Sequence, residues 1–190
     1  MTRTMQHHLS PISFLFFGKY RSVIKRPRSK DSVTMEPFHC VSLEINDPTI
    51  HTLSDALDLM SRSEHIDGAA ITKTITIDTA PPILIVHLKR FYYHPTFGVE
   101  KLAKFILYPQ HLDLCTTRLS HQYQLCAVIY HHGRTADGGH YTCHVRNTTD
   151  TWIYFDDASL TEHSLGSVLA DKGPVQTAYL LFYIRCDAST

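Results

Sequence analysis

Between residues 123 and 157 the chain places three β-prone runs so close together that only neighbouring antiparallel strands can accommodate them. Residues 123–130 are apolar and β-prone and lead into a loop carrying Gly133, Gly138 and Gly139. Residues 140–145 follow, then the turn signal Asn147-Thr148-Thr149-Asp150, then residues 152–155. A connection that short reverses a strand onto its neighbour, whereas a parallel return needs a dozen residues or more. With a short helix expected at 164–169 and a last strand at 178–185, the second half reads as an antiparallel sheet.

The first half is less regular. Residues 1–9 are polar and aperiodic and are expected to form a mobile extension, with order beginning near Ser10. Short apolar runs over 12–24 break at Gly18 and give way to a charged stretch with Lys25, Arg26, Arg28 and Lys30, which predicts a hairpin with a basic tip. A solvated tip is a simpler reading than a surface for an acidic partner. Val41, Leu43 and Ile45 alternate with polar residues as a half-buried strand. Thr52 with Asp55 has the spacing of a capping box, and Leu53, Ala56, Leu57 and Met60 then fall on one helical face. Ile71, Ile75 and Ile77 alternate with threonines, and Lys73 on the isoleucine side suggests an edge or an exposed end. After Pro81-Pro82, the continuous apolar start of residues 83–91 predicts a central strand covered on both faces, with His87 a core histidine and Lys89 and Arg90 emerging into solvent. Residues 92–99 read as a loop and 102–108 as a strand closed by Pro109.

At 190 residues one substantial core can form. Lys+Arg 18 against Asp+Glu 18 gives no basic face for nucleic acid. The apolar run at 12–17 is too short to span a membrane and lacks a signal-peptide cleavage pattern. Five cysteines without a CxxC pair point to reduced thiols, and so to a soluble protein of the cytoplasm or nucleus.

Within the antiparallel half, His140 follows paired glycines and Asp156 lies sixteen residues on. An imidazole works as a general base only in one tautomer and orientation, so it needs a carboxylate or amide on its other nitrogen. The hairpin is expected to set His140 opposite Asp156. Gly138 and Gly139, lacking Cβ atoms, would let a substrate backbone lie against the strand in a narrow slot. The plainer alternative is a hairpin turn followed by an ordinary strand histidine. A metal reading of His131, His132, His140 and His144 fails on distance, because His140 and His144 on one strand would stand roughly 13 Å apart. His144 is expected to be a surface or partly buried residue. Cys143, at an odd offset from His140, points to the opposite face.

Three blocks, Pro82 to Phe91, Gly138-Gly139-His140-Tyr141 and Trp152 to Asp157, stand in the order and spacing of the ubiquitin-specific proteases, which the chain resembles. Thr177 to Tyr183 matches that family's closing strand, and Pro11-Ile12, Phe17-Gly18 and Glu36-Pro37-Phe38 its fingers region, so the resemblance covers roughly residues 10–185. It implies an α+β, papain-like fold limited to fingers and palm, mostly antiparallel sheet with few short helices and the thumb missing. It implies a layout of a mobile extension at 1–9, a partial catalytic domain at 10–185 and a tail at 186–190. The implied activity is deubiquitination, a thiol-dependent hydrolysis of the isopeptide bond at the Gly-Gly terminus of ubiquitin. Ubiquitin and ubiquitinated proteins are then the partners, with no cofactor, no nucleic acid and no membrane. By resemblance His140 is the base, Asp156 its orienting partner and Asp157 a supporting carboxylate, while His131, Gly138, Gly139 and Tyr141 line the channel for the ubiquitin tail. His132 competes with His131 for that place.

Two departures stand out. Many members hold a structural zinc on two CxxC pairs in the fingers, and residues 20–24 and 66–72 contain no cysteine, so no metal is expected. The family's Gly-x-x-Cys-x-x-Asn box, which carries the nucleophile, is also absent. Cys40, Cys115, Cys126, Cys143 and Cys186 sit in strand or loop contexts, whereas reactive thiols favour helix N-termini near positive charge. The chain alone is therefore expected to be inactive, and a ubiquitin-binding pseudoenzyme or interaction module is the alternative. A serine hydrolase lacks its Gly-x-Ser-x-Gly elbow here. Apolar palm surface around residues 83–88 and 125–129 is expected to promote self-association.

Overall fold

The structure, a computed structural model, describes residues 10–66, 70–96, 98–135 and 138–186. The extension at 1–9 and the end of the tail lie outside the described residues. Helix α1 (Pro11–Phe16) is capped by the Ser10 hydroxyl, and strand β1 (Gly18–Lys25) turns at the basic tip into β2 (Ser32–Phe38). The chain continues through β3 (Val41–Glu44), α2 (Leu53–Ser61), β4 (Glu64–Ile66), β5 (Ile71–Thr79) and β6 (Ile83–Lys89). Next come β7 (Phe91–His94), β8 (Gly98–Lys101), β9 (His111–Cys115) and β10 (Ser120–His132). The last elements are β11 (His140–Arg146), β12 (Trp152–Asp156), β13 (Ser159–His163), α3 (Leu165–Leu169) and β14 (Gln176–Arg185).

The strands form a four-stranded sheet in the order β2-β1-β5-β4 and a larger sheet in the order β13-β12-β11-β10-β14-β6-β3, with β9 paired to the start of β10. Only the β3–β6 pair of the large sheet is parallel among the described strands. The hairpin β7–β8 stands apart from both sheets.

One face of the large sheet builds the core. Leu84, Val86 and Leu88 of β6, Leu181 and Tyr183 of β14, Tyr123, Leu125, Val128 and Tyr130 of β10 and Trp152 of β12 are all at most 1% exposed. Ile50 ahead of α2, Leu53 of α2, Ile106 of the 102–108 segment and Val168 of α3 close the core. Each such side chain contributes roughly 1.5–3 kcal/mol of transfer free energy. Helix α2 begins as its sequence dictates: the Thr52 hydroxyl accepts from Asp55 N at 3.0 Å and the Asp55 carboxylate accepts from Thr52 N at 2.8 Å.

The other face is also apolar, and this accounts for a departure from expectation. Strand β6 alternates buried and half-buried residues and lies next to the edge strand β3, so it is neither central nor covered on both faces. Its run looks continuous because Ile83 and Ile85 belong to the second apolar face, where they pair with Ile184 and Phe182. His87 is half-buried on that face, with Nδ1 3.2 Å from the Ser42 hydroxyl, and is not a core histidine.

Other corrections follow from backbone bonding. Lys73 pairs with Ile24 on one side and Glu64 on the other, so β5 is an inner strand at that point. Residues 92–99 belong mostly to the β7–β8 hairpin. Residues 102–108 form no strand: Leu107 bonds to His51 O and Leu53 N around the start of α2, and the carbonyls of Leu102 and Lys104 accept from Arg90. Arg90 is 1% exposed, so it does not emerge into solvent. Among the described residues no helix is long and apolar enough to cross a membrane.

Candidate active site

Strand β10 carries His131 and His132 to its end, and β11 returns starting at His140. The pairing His131↔Tyr141 and His132↔His140 sorts these residues by side: His131 and Tyr141 share one face of the strand end, His132 and His140 the other.

On the second side, His140 Nε2 lies 2.5 Å from Asp156 Oδ1. The strand register differs from the expected one. With Cys143 opposite Phe155 and Arg146 opposite Trp152, Asp156 stands level with Thr142, and His140 reaches it diagonally. The link survives the two-residue offset because both side chains lie on one face at the open end of the sheet. The hydrogen bond that Asp156 accepts raises the His140 pKa above its ordinary value, opposed by partial burial and helped by the charges of Asp156 and Asp157. With Nε2–H donating to the carboxylate, Nδ1 is left as the basic nitrogen with no partner among the described residues. Asp157 follows in the left-handed region (φ 50°) and is exposed. His140, Asp156 and Asp157 offer ligand atoms within 4.8 Å of one another, but a single histidine with two exposed or half-exposed carboxylates is a sparse donor set for a tightly held transition metal.

On the first side an aromatic cluster forms. The His131 ring meets Phe91 edge-on at 5.3 Å and Tyr141 at 5.0 Å, and Tyr179 lies 6.0 Å from Tyr141 and 6.1 Å from Phe91. Next to it opens a cleft of about 410 Å³ lined by Glu44, His87, Lys89, Arg90, Phe91 and Tyr179. The paired glycines do different jobs. A Cβ on Gly139 would stand 2.3 Å from His131 Nε2 and from His132 O, so the protein's own imidazole fills the space the missing side chain leaves. Gly138 has nothing within 4 Å and faces open space. His131 is 2% exposed, and burial, then the charge of Lys101, pushes its pKa down. His132 instead bonds the Thr142 hydroxyl at 2.8 Å.

The predicted site residues thus fall into two adjoining groups, His140 with Asp156 and Asp157, and His131 with Gly139 and Tyr141, with Gly138 at the mouth. Sequence reasoning misses Phe91, Tyr179, Arg90 and Lys101; Arg90 looks from sequence like a solvent-exposed strand end, and the two cations are revealed only by their carbonyl partners. His144 is fully buried, contrary to expectation, with Nε2 2.8 Å from His163 Nδ1.

None of the five cysteines has a contact with His140 among the described residues. Burial raises the thiols of Cys40, Cys126 and Cys143, the direction opposite to activation. Cys126 Sγ is turned to Phe182 O at 3.3 Å, and Cys143 lies on the other face of β11 from His140.

A family model described as ubiquitin carboxyl-terminal hydrolase matches residues 1–183. Ubiquitin carboxyl-terminal hydrolase 10 of Rattus norvegicus is 35% identical over 98% of this chain and 26% of its own length. Ubiquitin hydrolase B of Dictyostelium discoideum is 38% identical over 92% of this chain and 40% of its own. The chain therefore spans well under half of these relatives. Among solved structures, the Ubp8-Sgf11-Sgf73-Sus1 SAGA DUB module contains a chain with TM-score 0.87 and 26% identity, covering 100% of this chain and 44% of that one. A SAGA DUB module bound to monoubiquitin gives TM-score 0.83 and 27% identity, covering 94% and 42%.

Proposed function

The chain belongs to the ubiquitin carboxyl-terminal hydrolase family, cysteine-type deubiquitinases, and from that premise we propose that it carries the base-bearing half of a deubiquitinating site and binds the ubiquitin tail. The observation that supports this most is the His140 Nε2–Asp156 Oδ1 bond at 2.5 Å, which leaves Nδ1 as the nitrogen free to take a proton. His131, Gly138, Gly139 and Tyr141 form the wall along which the Gly-Gly terminus lies, and Asp157 adds charge behind the pair.

The chemistry runs through a thiol supplied by polypeptide outside these 190 residues. His140 Nδ1 takes the thiol proton, and the thiolate attacks the carbonyl carbon of the terminal glycine. As the C–N bond breaks, the imidazolium returns its proton to the departing lysine amine, leaving a thioester. The imidazole then deprotonates water, whose attack releases the ubiquitin carboxylate and restores the thiol. Asp156 holds the tautomer and the imidazolium throughout.

The 190-residue chain is accordingly expected to bind ubiquitin saturably and to leave conjugates intact. A fluorogenic ubiquitin substrate and a thiol-directed ubiquitin probe test it: turnover lost on Cys→Ala at any of the five cysteines would overturn the assignment of the nucleophile, and absence of saturable binding would overturn the ubiquitin site. A pure binding role is the second reading, supported by the raised thiols of Cys40, Cys126 and Cys143. Adding a thiol-bearing catalytic segment of the family decides between them, since only the first reading gains turnover.

A further inference from the structure

Beside the aromatic wall lies a cation that the proposed chemistry does not use. Lys101, the last residue of β8, donates from Nζ to three backbone carbonyls: His131 O at 3.0 Å, Gly133 O at 2.7 Å and Val175 O at 3.1 Å. Its three N–H bonds match three acceptors, and among the described residues no carboxylate pairs with it. The acceptors come from three different places: the end of β10, the turn that leaves it and the approach to β14. Gly133 sits at φ 127°, a backbone setting that favours glycine, and its N–H donates to Val175 O at 3.1 Å, so the lysine and the glycine amide converge on one carbonyl.

We propose that Lys101 is a positioning residue for the slot: its ammonium ties the β7–β8 hairpin to the backbone that frames His140 and so fixes the width of the channel for the ubiquitin tail. The role rests on the ubiquitin reading above. Phe91, paired with Lys101 across the hairpin, carries the same tie to the side-chain level by packing against His131. His131 in turn fills the space at Gly139, one residue before the base. Displacing the ammonium would free three carbonyls at once and let the His131–Gly139 contact relax.

Burial, and secondarily the charge of Arg90, lowers the Lys101 pKa to about 8. Among the described residues the charged or titratable groups facing it are Arg90, just after β6, and His131 and His132 on β10; on its own hairpin Glu100 is engaged with the Tyr92 hydroxyl at 2.7 Å. The two histidines are pushed below their ordinary value, so neither titrates where Lys101 does.

The test uses the full 190-residue chain, labelled with carbon-13 and nitrogen-15. The carbonyl resonances of His131, Gly133 and Val175 should shift together with one midpoint near pH 8, shared by Lys101 Cε, and ubiquitin affinity should fall several-fold across that midpoint. In Lys101→Met, which keeps the apolar stem, the shared transition should vanish, ubiquitin should bind roughly tenfold more weakly and the His140 pKa should move toward its ordinary value. A Lys101 Cε midpoint at the ordinary lysine value with static carbonyls overturns the proposal, as do unchanged ubiquitin affinity and His140 titration in a folded Lys101→Met. If that variant melts, Lys101→Gln and the wild-type titration decide the same question. Failure of wild-type chain to bind ubiquitin at pH 7 would sink the ubiquitin reading instead, while the carbonyl and His140 titrations still decide the clamp.

Discussion

His140 and His144 stand four residues apart on the same face of β11, and their surroundings drive them in opposite directions. The His140 side chain is 43% exposed and bonded to a carboxylate, which raises its pKa. His144 is fully buried against Tyr130, Tyr154 and His163, and burial lowers its pKa to about 4. A strand position fixes which face a side chain takes; the end of the sheet and the partner across from it decide whether the imidazole can hold a proton at neutral pH. Of the two, it is the histidine at the open end that suits the proposed role of a base that accepts a proton and returns it.

The largest expected effect comes from removing the partner that separates the two. Asp156→Asn should lower the His140 pKa, read by NMR of the imidazole. In the chain assembled with a thiol-bearing segment it should cut turnover by roughly 10²–10⁴-fold, the scale of general acid–base catalysis. Turnover within twofold of wild type would break the comparison at its first term.

The buried histidine should speak through acid stability. Its unfolded pKa near 6.5 exceeds its folded pKa of about 4, so the unfolded chain binds the extra proton between those values. Stability on this account is complete above pH 6.5 and is lost as pH falls toward 4, by roughly 3 kcal/mol. His87, His131 and His132 are lowered too and act in the same window, so the decisive measurement is the difference between wild type and His144→Gln in urea unfolding across pH 7 to 4. A variant with an unaltered slope would show that His144 already titrates normally. His140, raised by its partner, contributes with the opposite sign: its small share is lost as pH rises through its folded pKa.

The partner of His144 sharpens the same point at smaller scale. His163→Ala would leave Nε2 of His144 buried without a bond and should cost about 2 kcal/mol, the penalty of an unsatisfied buried polar group. His163→Gln, which can still present an amide, should recover part of that loss in thermal or urea unfolding. Equal losses in both would mean that Tyr154 stacking on the His163 ring at 4.9 Å, and not the bond, carries the contact.

What is legible in the sequence follows the same division. The capping box at Thr52 and Asp55, the hairpin at the basic tip and the strands around Gly138–His140 are local, so spacing and turn chemistry reveal them. The nearness of His140 to Asp156 is legible because one short turn joins their strands, even though the register is shifted by two. Arg90, Lys101 and His144 escape sequence reasoning for one reason: their partners are backbone carbonyls or a histidine brought in from distant elements, and residue type alone argues that such groups face water. The aromatic wall of Phe91, His131, Tyr141 and Tyr179 draws on β7, β10, β11 and β14, which no local pattern joins.

Asp157 supplies the finest cut on the comparison. It sits beside Asp156, is exposed, and acts on His140 through charge alone, as the last of the influences that raise its pKa. Its backbone is left-handed at φ 50°, a setting that asparagine tolerates, so Asp157→Asn removes the charge without straining the turn. An exposed, screened charge should be worth little: turnover of the assembled site should fall roughly twofold at low ionic strength and match wild type in high salt. The His140 pKa should drop by less than in Asp156→Asn. If instead the two variants lose equally and salt changes nothing, Asp157 shares the orienting bond, and His140 is set apart from His144 by a pair of carboxylates acting together.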